Sequence, residues 1–272
     1  MKDNNEAKRK RVESFLKENY KGKFIISETP NNEGKYEVSS NGFVKMISES
    51  KSLATEDFVF TEVSNFSCSR NERLLSLEGS PRKASVFNCG GCNSLQSLKG
   101  APERVGEFNC TCCASLKTLQ GAPEKVKEFY CGICESLESL EGAPEKVDKF
   151  NCYHCDSLLS LKGAPKEVRE FDCSYCESLE SLEGAPRMVE IFNCIGCDSL
   201  ESLKGVPKEM KEFYCSGCES LESLEGAPEK VEKFICIYCT SLLSLQGAPK
   251  EVKEFDCSHC WSLKSLESAP KK

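Results

Sequence analysis

Nine cysteines recur along this chain with a step of 21 residues and no insertion: Cys89, Cys110, Cys131, Cys152, Cys173, Cys194, Cys215, Cys236 and Cys257. Each is followed three residues later by a second, at Cys92, Cys113, Cys134, Cys155, Cys176, Cys197, Cys218, Cys239 and Cys260. Cys68 stands one step earlier and opens a degenerate unit, FSCSRNERLLSLEGSP, in which Asn71 takes the place of the second cysteine. No other feature constrains the fold as strongly. A unit this short cannot enclose a core of its own, so each must bury its apolar face against its neighbours, and stacked units make a solenoid.

Aligned on themselves, the units read V-x-x-F-x-C-x-x-C-x-S-L-x-S-L-x-G-A-P-x-x, with Val126, Phe129, Cys131, Cys134, Leu137, Leu140 and Ala143 as the recurring apolar set of one copy. Alternation at Phe and Cys predicts a short strand. After the second cysteine the spacing changes to L-x-x-L, which predicts an extended or short helical return, and Gly-Ala-Pro closes it with a bend. Serines such as Ser136 and Ser139 lie beside the inward leucines and are expected to satisfy turn backbone groups rather than act as nucleophiles. About ten such units stack into a mainly β solenoid with one parallel sheet, roughly 45 Å long at ~4.8 Å per strand. A parallel β-helix is the rival architecture at this period.

Residues 1–65 do not follow the period and are expected to form a small α+β cap on residues 66–272, because an end unit otherwise exposes its apolar edge. Glu6 to Tyr20 predicts a helix with Val12, Phe15, Leu16 and Tyr20 on one face, and KFIIS predicts a strand. KYEVSSNGFVKMI predicts a hairpin turning at Ser40-Asn41-Gly42. At the other end the array stops at SAPKK without a separate cap, which predicts weak homodimerisation through the edge from Phe255 to Trp261.

The array resembles the leucine-rich repeats, whose L-x-x-L-x-L-x-x-N/C maps onto Val126, Phe129, Cys131 and Cys134. The continuation C-x-S-L-x-S-L-x-G-A-P resembles the BspA-like class and, more closely, the F-x-C-S-x-N-x-L-T-S-L-E-G-A-P repeats of bacterial and phage genomes. The resemblance covers about residues 66–270, and the head from Lys35 also looks like the N-terminal segment of those proteins. It departs from the general family in its 21-residue length and in Phe and Cys at leucine positions. What it implies is a curved scaffold for protein recognition without catalysis.

The paired cysteines invite a metal reading. Adjacent pairs satisfy C-x2-C-x15–20-C-x2-C, a zinc spacing. Here it fires for every neighbouring pair, and nine pairs cannot be divided into four-cysteine sites without a remainder. Asn71 replaces a cysteine of the second column, and asparagine is what a leucine-rich ladder uses to bond turn backbone, whereas it is a poor zinc ligand. Asn71 and the two cysteine columns are therefore expected to be structural rungs with no bound metal or cofactor. A thiol-rich metal-binding or redox-buffering protein is the alternative. Cys112, in a column held elsewhere by Gly, Ile, Tyr or His, is expected to face outward and react first.

Function is expected on the variable columns. Asn109, Tyr130, Asn151, Asp172, Asn193, Tyr214, Ile235 and Asp256 precede the first cysteine and alternate with inward residues. Tyr153, His154, Tyr175, Ile237, Tyr238 and His259 lie between the cysteines. Aromatics with Asn and Asp on a rigid sheet suit a protein partner. A charge of −7 argues against a general nucleic-acid binder, and no apolar run approaches the ~18 residues of a membrane span. The polar MKDNNEAKRKRVES start, with no signal-peptide core, places the expected location in the cytoplasm, where 20 cysteines stay reduced. The head holds neither cysteine nor histidine, and no phosphate loop, H-E-x-x-H or G-x-S-x-G motif occurs, so no enzyme is expected.

Overall fold

A computed structural model describes residues 2–270. One helix, α1 (Lys2–Asn19), precedes thirteen strands: β1 (Tyr20–Lys21), β2 (Ile25–Ile26), β3 (Tyr36–Met46), β4 (Phe58–Ser67), β5 (Lys83–Asn88), β6 (Arg104–Asn109) and β7 (Lys125–Tyr130), then β8 (Lys146–Asn151), β9 (Glu167–Asp172), β10 (Ile191–Asn193), β11 (Glu209–Tyr214), β12 (Lys230–Ile235) and β13 (Glu251–Asp256). From β3 onward each strand pairs in parallel with the next in sequence, giving a single sheet of about eleven turns. The returns are extended and turn-rich, with no helix. A second sheet, which a β-helix would carry, is reduced to the bridges Ser160–Ser181 and Ser181–Ser202. This is the mainly β solenoid that the period and the resemblance lead one to expect.

Most six-residue strands of the array carry the same irregularity. In β6 and β7, Val105 pairs with Val126 and Glu107 with Glu128, while the residue between falls out of the ladder. Two residues therefore point outward between the inward Val and Phe, which is how V-x-x-F buries both ends of an odd interval. Inside, like packs on like. Phe66, Phe87, Phe108, Phe129, Phe150, Phe171, Phe192, Phe213, Phe234 and Phe255 form one stack, with neighbouring centroids 5.2 to 5.6 Å apart. Two leucine columns, from Leu74 and Leu77 to Leu242 and Leu245, are fully buried beside it.

Glycine is obligatory at one bend. Gly142 holds φ +92°, and a Cβ there would sit 2.5 Å from the backbone nitrogen of Gln120 in the coil below. Both its left-handed conformation and its contact with the neighbouring backbone exclude a side chain. Serine hydroxyls complete the same bend: Ser139 Oγ accepts from Glu141 N at 3.1 Å and donates to Lys162 O at 3.4 Å. Among the serines of the Ser136 column, Ser157 Oγ donates to Glu135 O at 2.6 Å, so the expected serine role is strongest in the Ser139 column.

The head seals one end of the stack. Val12, Leu16 and Tyr20 of α1 are buried as the helical face predicts, while Phe15 is 40% exposed and lies 5.8 Å from the ring of Phe58. Tyr20, Phe58 and Phe60 continue the aromatic contact onto Phe66, the first ring of the column. The predicted hairpin at Ser40-Asn41-Gly42 is not formed. β3 runs straight through these residues and pairs in parallel with β4, absorbing them in two register shifts. Ser40 is buried there, and its Oγ accepts from Gly42 N at 3.2 Å. Pairing along the whole of β4 outweighs a local turn signal. β4 also runs past residue 65, so the sheet is continuous from the head into the array. The basic run at residues 8–11 is taken up in ion pairs: Lys8 and Arg11 with Asp57, Arg9 with Glu13, Lys10 with Glu6.

Candidate functional site: the turn that follows each strand

Both cysteine columns point inward, and their thiols bond backbone. First-column thiols donate forward, as Cys89 Sγ to Asn109 O and Cys131 Sγ to Asn151 O, each at 3.4 Å. Second-column thiols donate back to the preceding coil, as Cys92 Sγ to Cys68 O at 3.2 Å and Cys239 Sγ to Cys215 O at 3.1 Å. Asn71 performs the same service at the start of the column, donating from Nδ2 to Ser50 O at 3.0 Å and accepting from Arg73 N. Burial, together with neighbouring thiols, pushes the Cys110 and Cys131 thiols well above their ordinary range, so they sit as S–H donors. Among the described residues, no group of three or more His, Cys, Asp or Glu side chains is arranged to hold a metal ion.

The residues before the first cysteine divide into three groups. Asn109, Asn151, Asp172, Asn193 and Asp256 each turn a side-chain oxygen onto the backbone N–H two residues on, at 2.9 to 3.3 Å. This Asx turn explains why the column favours Asn and Asp. Tyr130 and Tyr214 lie along the sheet and donate to Glu128 and Glu212 at 2.6 and 2.5 Å. Partial burial, and then that bond, raise both phenols, Tyr214 to about 12. Ile235, expected outside, is only 9% exposed because neighbouring rungs cover it. The column two residues earlier, which runs from Glu107 to Glu254 and is mostly glutamate, is likewise partly satisfied within the sheet, with Lys149 paired to Glu170 and Lys233 to Glu254.

Between the cysteines the backbone does something the spacing alone did not announce. The second spacer adopts positive φ in every coil from Arg70 to His259. Glycine meets that demand at Gly91, Gly196 and Gly217, but Cys112, Ile133, His154, Tyr175, Tyr238 and His259 hold φ between 50° and 61°. Left-handed backbone costs a residue with a Cβ on the order of 1 kcal/mol. The recurrence of Gly among bulky residues in one column is the signal that reveals it.

These strained residues carry an exposed aromatic ridge. His154 stacks on Tyr175 at 4.9 Å, with Tyr153 edge-on at 5.7 Å. Further along, Tyr238 stacks on His259 at 4.6 Å, and Trp261 stands perpendicular to both. Tyr175 is 47% exposed, Tyr238 51% and Trp261 75%. The Tyr175 ring lies over Gly196, and Gly217 leaves a gap before the second group. Trp261 lies outside the columns expected to bind. Its signal is a column that otherwise holds small or polar residues, from Asn93 to Thr240. Ile237 is half-buried between coils, its N–H donating to Ser216 Oγ.

Cys112 is the exposed thiol of this column, as its position predicts. A maleimide added to the native, reduced protein is expected to label one thiol per chain rapidly, and Cys112→Ser to remove that phase. Fast labelling of Cys92 or Cys113 instead would contradict the inward columns.

These features define a class: a repeat solenoid of one parallel sheet, with an inward thiol ladder and an outward turn ridge. The sequence matches no protein-family model and no curated protein. A solved leucine-rich repeat protein from Bacteroides ovatus ATCC 8483 is similar over 90% of this chain and 92% of that one, at 15% sequence identity and a TM-score of 0.27. The class assignment rests on this chain's own strand pairing and hydrogen-bond ladder. No described helix is long and apolar enough to cross a membrane.

Proposed function

We propose that this chain is a non-enzymatic interaction scaffold that captures a protein partner on the aromatic ridge. The observation that carries this is the left-handed spacer. Glycine would suit every coil, yet His154, Tyr175, Tyr238 and His259 hold that conformation with large rings, three of them exposed and His154 half-buried. Strain kept at an exposed position points to use, and rigid aromatics are what interface centres are made of. The interior columns are uniform, so selectivity falls to residues that change from coil to coil.

A variant with all four residues changed to Gly tests this directly. It is expected to melt no lower than the parent, because Gly relieves the backbone, and to lose at least tenfold in capture of the partner recovered with the parent from native-cell extract. Undiminished capture by the quadruple variant would place the binding surface elsewhere.

A further inference from the structure

The sheet carries a second surface, at the opposite ends of its strands from the ridge and about 20 Å from it by strand length. A groove of about 580 Å3 crosses β4 to β7 there. Its floor is the column Val63, Ala84, Val105 and Val126, nearly buried except at Ala84, and one rim is the column Lys83, Arg104 and Lys125. The three cations are opposite one another in register, Lys83 to Arg104 and Arg104 to Lys125. Like charges placed so are unfavourable.

Elsewhere the array neutralises this same column. Lys146 meets Glu167 at 2.8 Å, and Lys230 meets Glu251 at 3.8 Å. Among the described residues, no carboxylate lies within ion-pair distance of Lys83, Arg104 or Lys125, although Glu62 and Glu124 also border the groove. The adjoining outward column differs in the same place. Later coils fill it with paired long arms, such as Lys211 with Glu190 and Lys253 with Glu232, whereas the first coils have Ser64, Ser85 and Gly106. A shallow cleft over small residues and unneutralised cations therefore coincide in one stretch of an acidic protein.

We infer that this groove binds an acidic amphipathic helix of a partner protein, lying along the solenoid axis. Three rungs span about 10 Å at ~4.8 Å per strand. Carboxylates at i, i+3 or i+4, and i+7 of a helix span about 10.5 Å at 1.5 Å per residue. Alternate residues of an extended strand would span about 13 Å and fall out of step. A helix also sets apolar side chains beside its acidic row, where the shallow cleft at Ala84 and the aliphatic stems of the rim cations receive them. This surface rests on its own residues and stands whether or not the ridge binds.

Fluorescence anisotropy on the full chain tests it with a labelled 18-residue helical peptide carrying Glu at i, i+4 and i+7 beside Leu. Saturable binding is expected, weakening at least tenfold between 50 and 300 mM salt, and at least tenfold for the Glu→Gln peptide. Charge reversal in K83E/R104E/K125E is expected to abolish it, while the four-glycine ridge variant binds like the parent. Chemical-shift changes in the unaltered protein are expected on residues 62–64, 83–85, 104–106 and 125–127, which keeps the test valid if the triple variant misfolds. The inference is overturned by no binding at 1 mM, by shifts confined to the ridge, by equal binding of a proline-broken peptide of the same composition, or by tighter binding of poly-uridylate.

Discussion

Raising the pH from 8 to about 10 under reducing conditions is expected to unfold the solenoid. Eight thiols, at Cys68, Cys89, Cys110, Cys131, Cys152, Cys155, Cys173 and Cys194, are held well above their ordinary range. At Cys68 and Cys152 the hydrogen bond with Cys92 and Cys176 leads, and at the others burial does. The folded chain keeps these protons, whereas an unfolded thiol loses its proton near pH 8.5 to 9. Stability is therefore complete below about pH 8 and falls as pH rises above the unfolded value. The slope is about 1.4 kcal/mol per pH unit for each thiol. Cys92 is shifted down by the bond that lifts Cys68, which leaves the six thiols led by burial; together they amount to on the order of 10 kcal/mol by pH 10, comparable with the whole stability of a typical domain. Far-UV circular dichroism should show a steep loss of β signal in this window, with several protons released per chain. A flat signal to pH 10.5 would mean that the thiols ionise in place and are not a neutral wall.

Phe150→Ala is expected to cost about 3–5 kcal/mol, the range for emptying a fully buried aromatic site. Phe150 stacks on Phe129 at 5.4 Å and on Phe171 at 5.5 Å, and no solvent reaches it. Coils touch only their neighbours, so the loss concentrates at one plane of the array. Urea unfolding should then separate into two transitions, one for the coils on each side. Phe255→Ala serves as the comparison, because that ring has one neighbour in the column and is already half-buried. Its cost should be less than half as large, with a single transition retained. Equal effects at the two positions would argue against stacking as the source of cohesion.

The parts of this molecule legible in its sequence are those that the repeat imposes. A solenoid gives the same position the same surroundings at every turn, so Phe129, Cys131, Cys134, Leu137 and Leu140 declare their burial by recurring. Asn71 is equally informative, since an exception inside a column reveals what the column does. Backbone conformation is harder to see. A left-handed spacer is visible only through Gly91, Gly196 and Gly217, and Tyr175 or Ile133 in the same place conceals it. Local turn chemistry also misleads where pairing overrides it, as at Ser40-Asn41-Gly42, and where an outward side chain is claimed by its own turn, as Asn109 and Asp172 are. The groove over Val105 is invisible in one dimension, because it depends on what three neighbouring coils fail to provide one another.

The near-identity of the coils creates a hazard during folding that their exterior reduces. With the same Phe, Cys and Leu rungs throughout, a coil docked against the wrong copy would lose almost no interior packing. The outward charges change from coil to coil and penalise a shift by one. Arg169, Glu190, Lys211, Glu232 and Lys253 occupy one column with alternating sign, and Lys211–Glu190 and Lys253–Glu232 are formed pairs. Skipping one coil would set Arg169 against Lys211, or Lys211 against Lys253. Each surface pair is worth less than about 1 kcal/mol, too little to hold the fold together. They bias the assembly of otherwise interchangeable coils against a one-coil skip, whereas skipping two coils would set Arg169 against Glu232 and restore opposite signs.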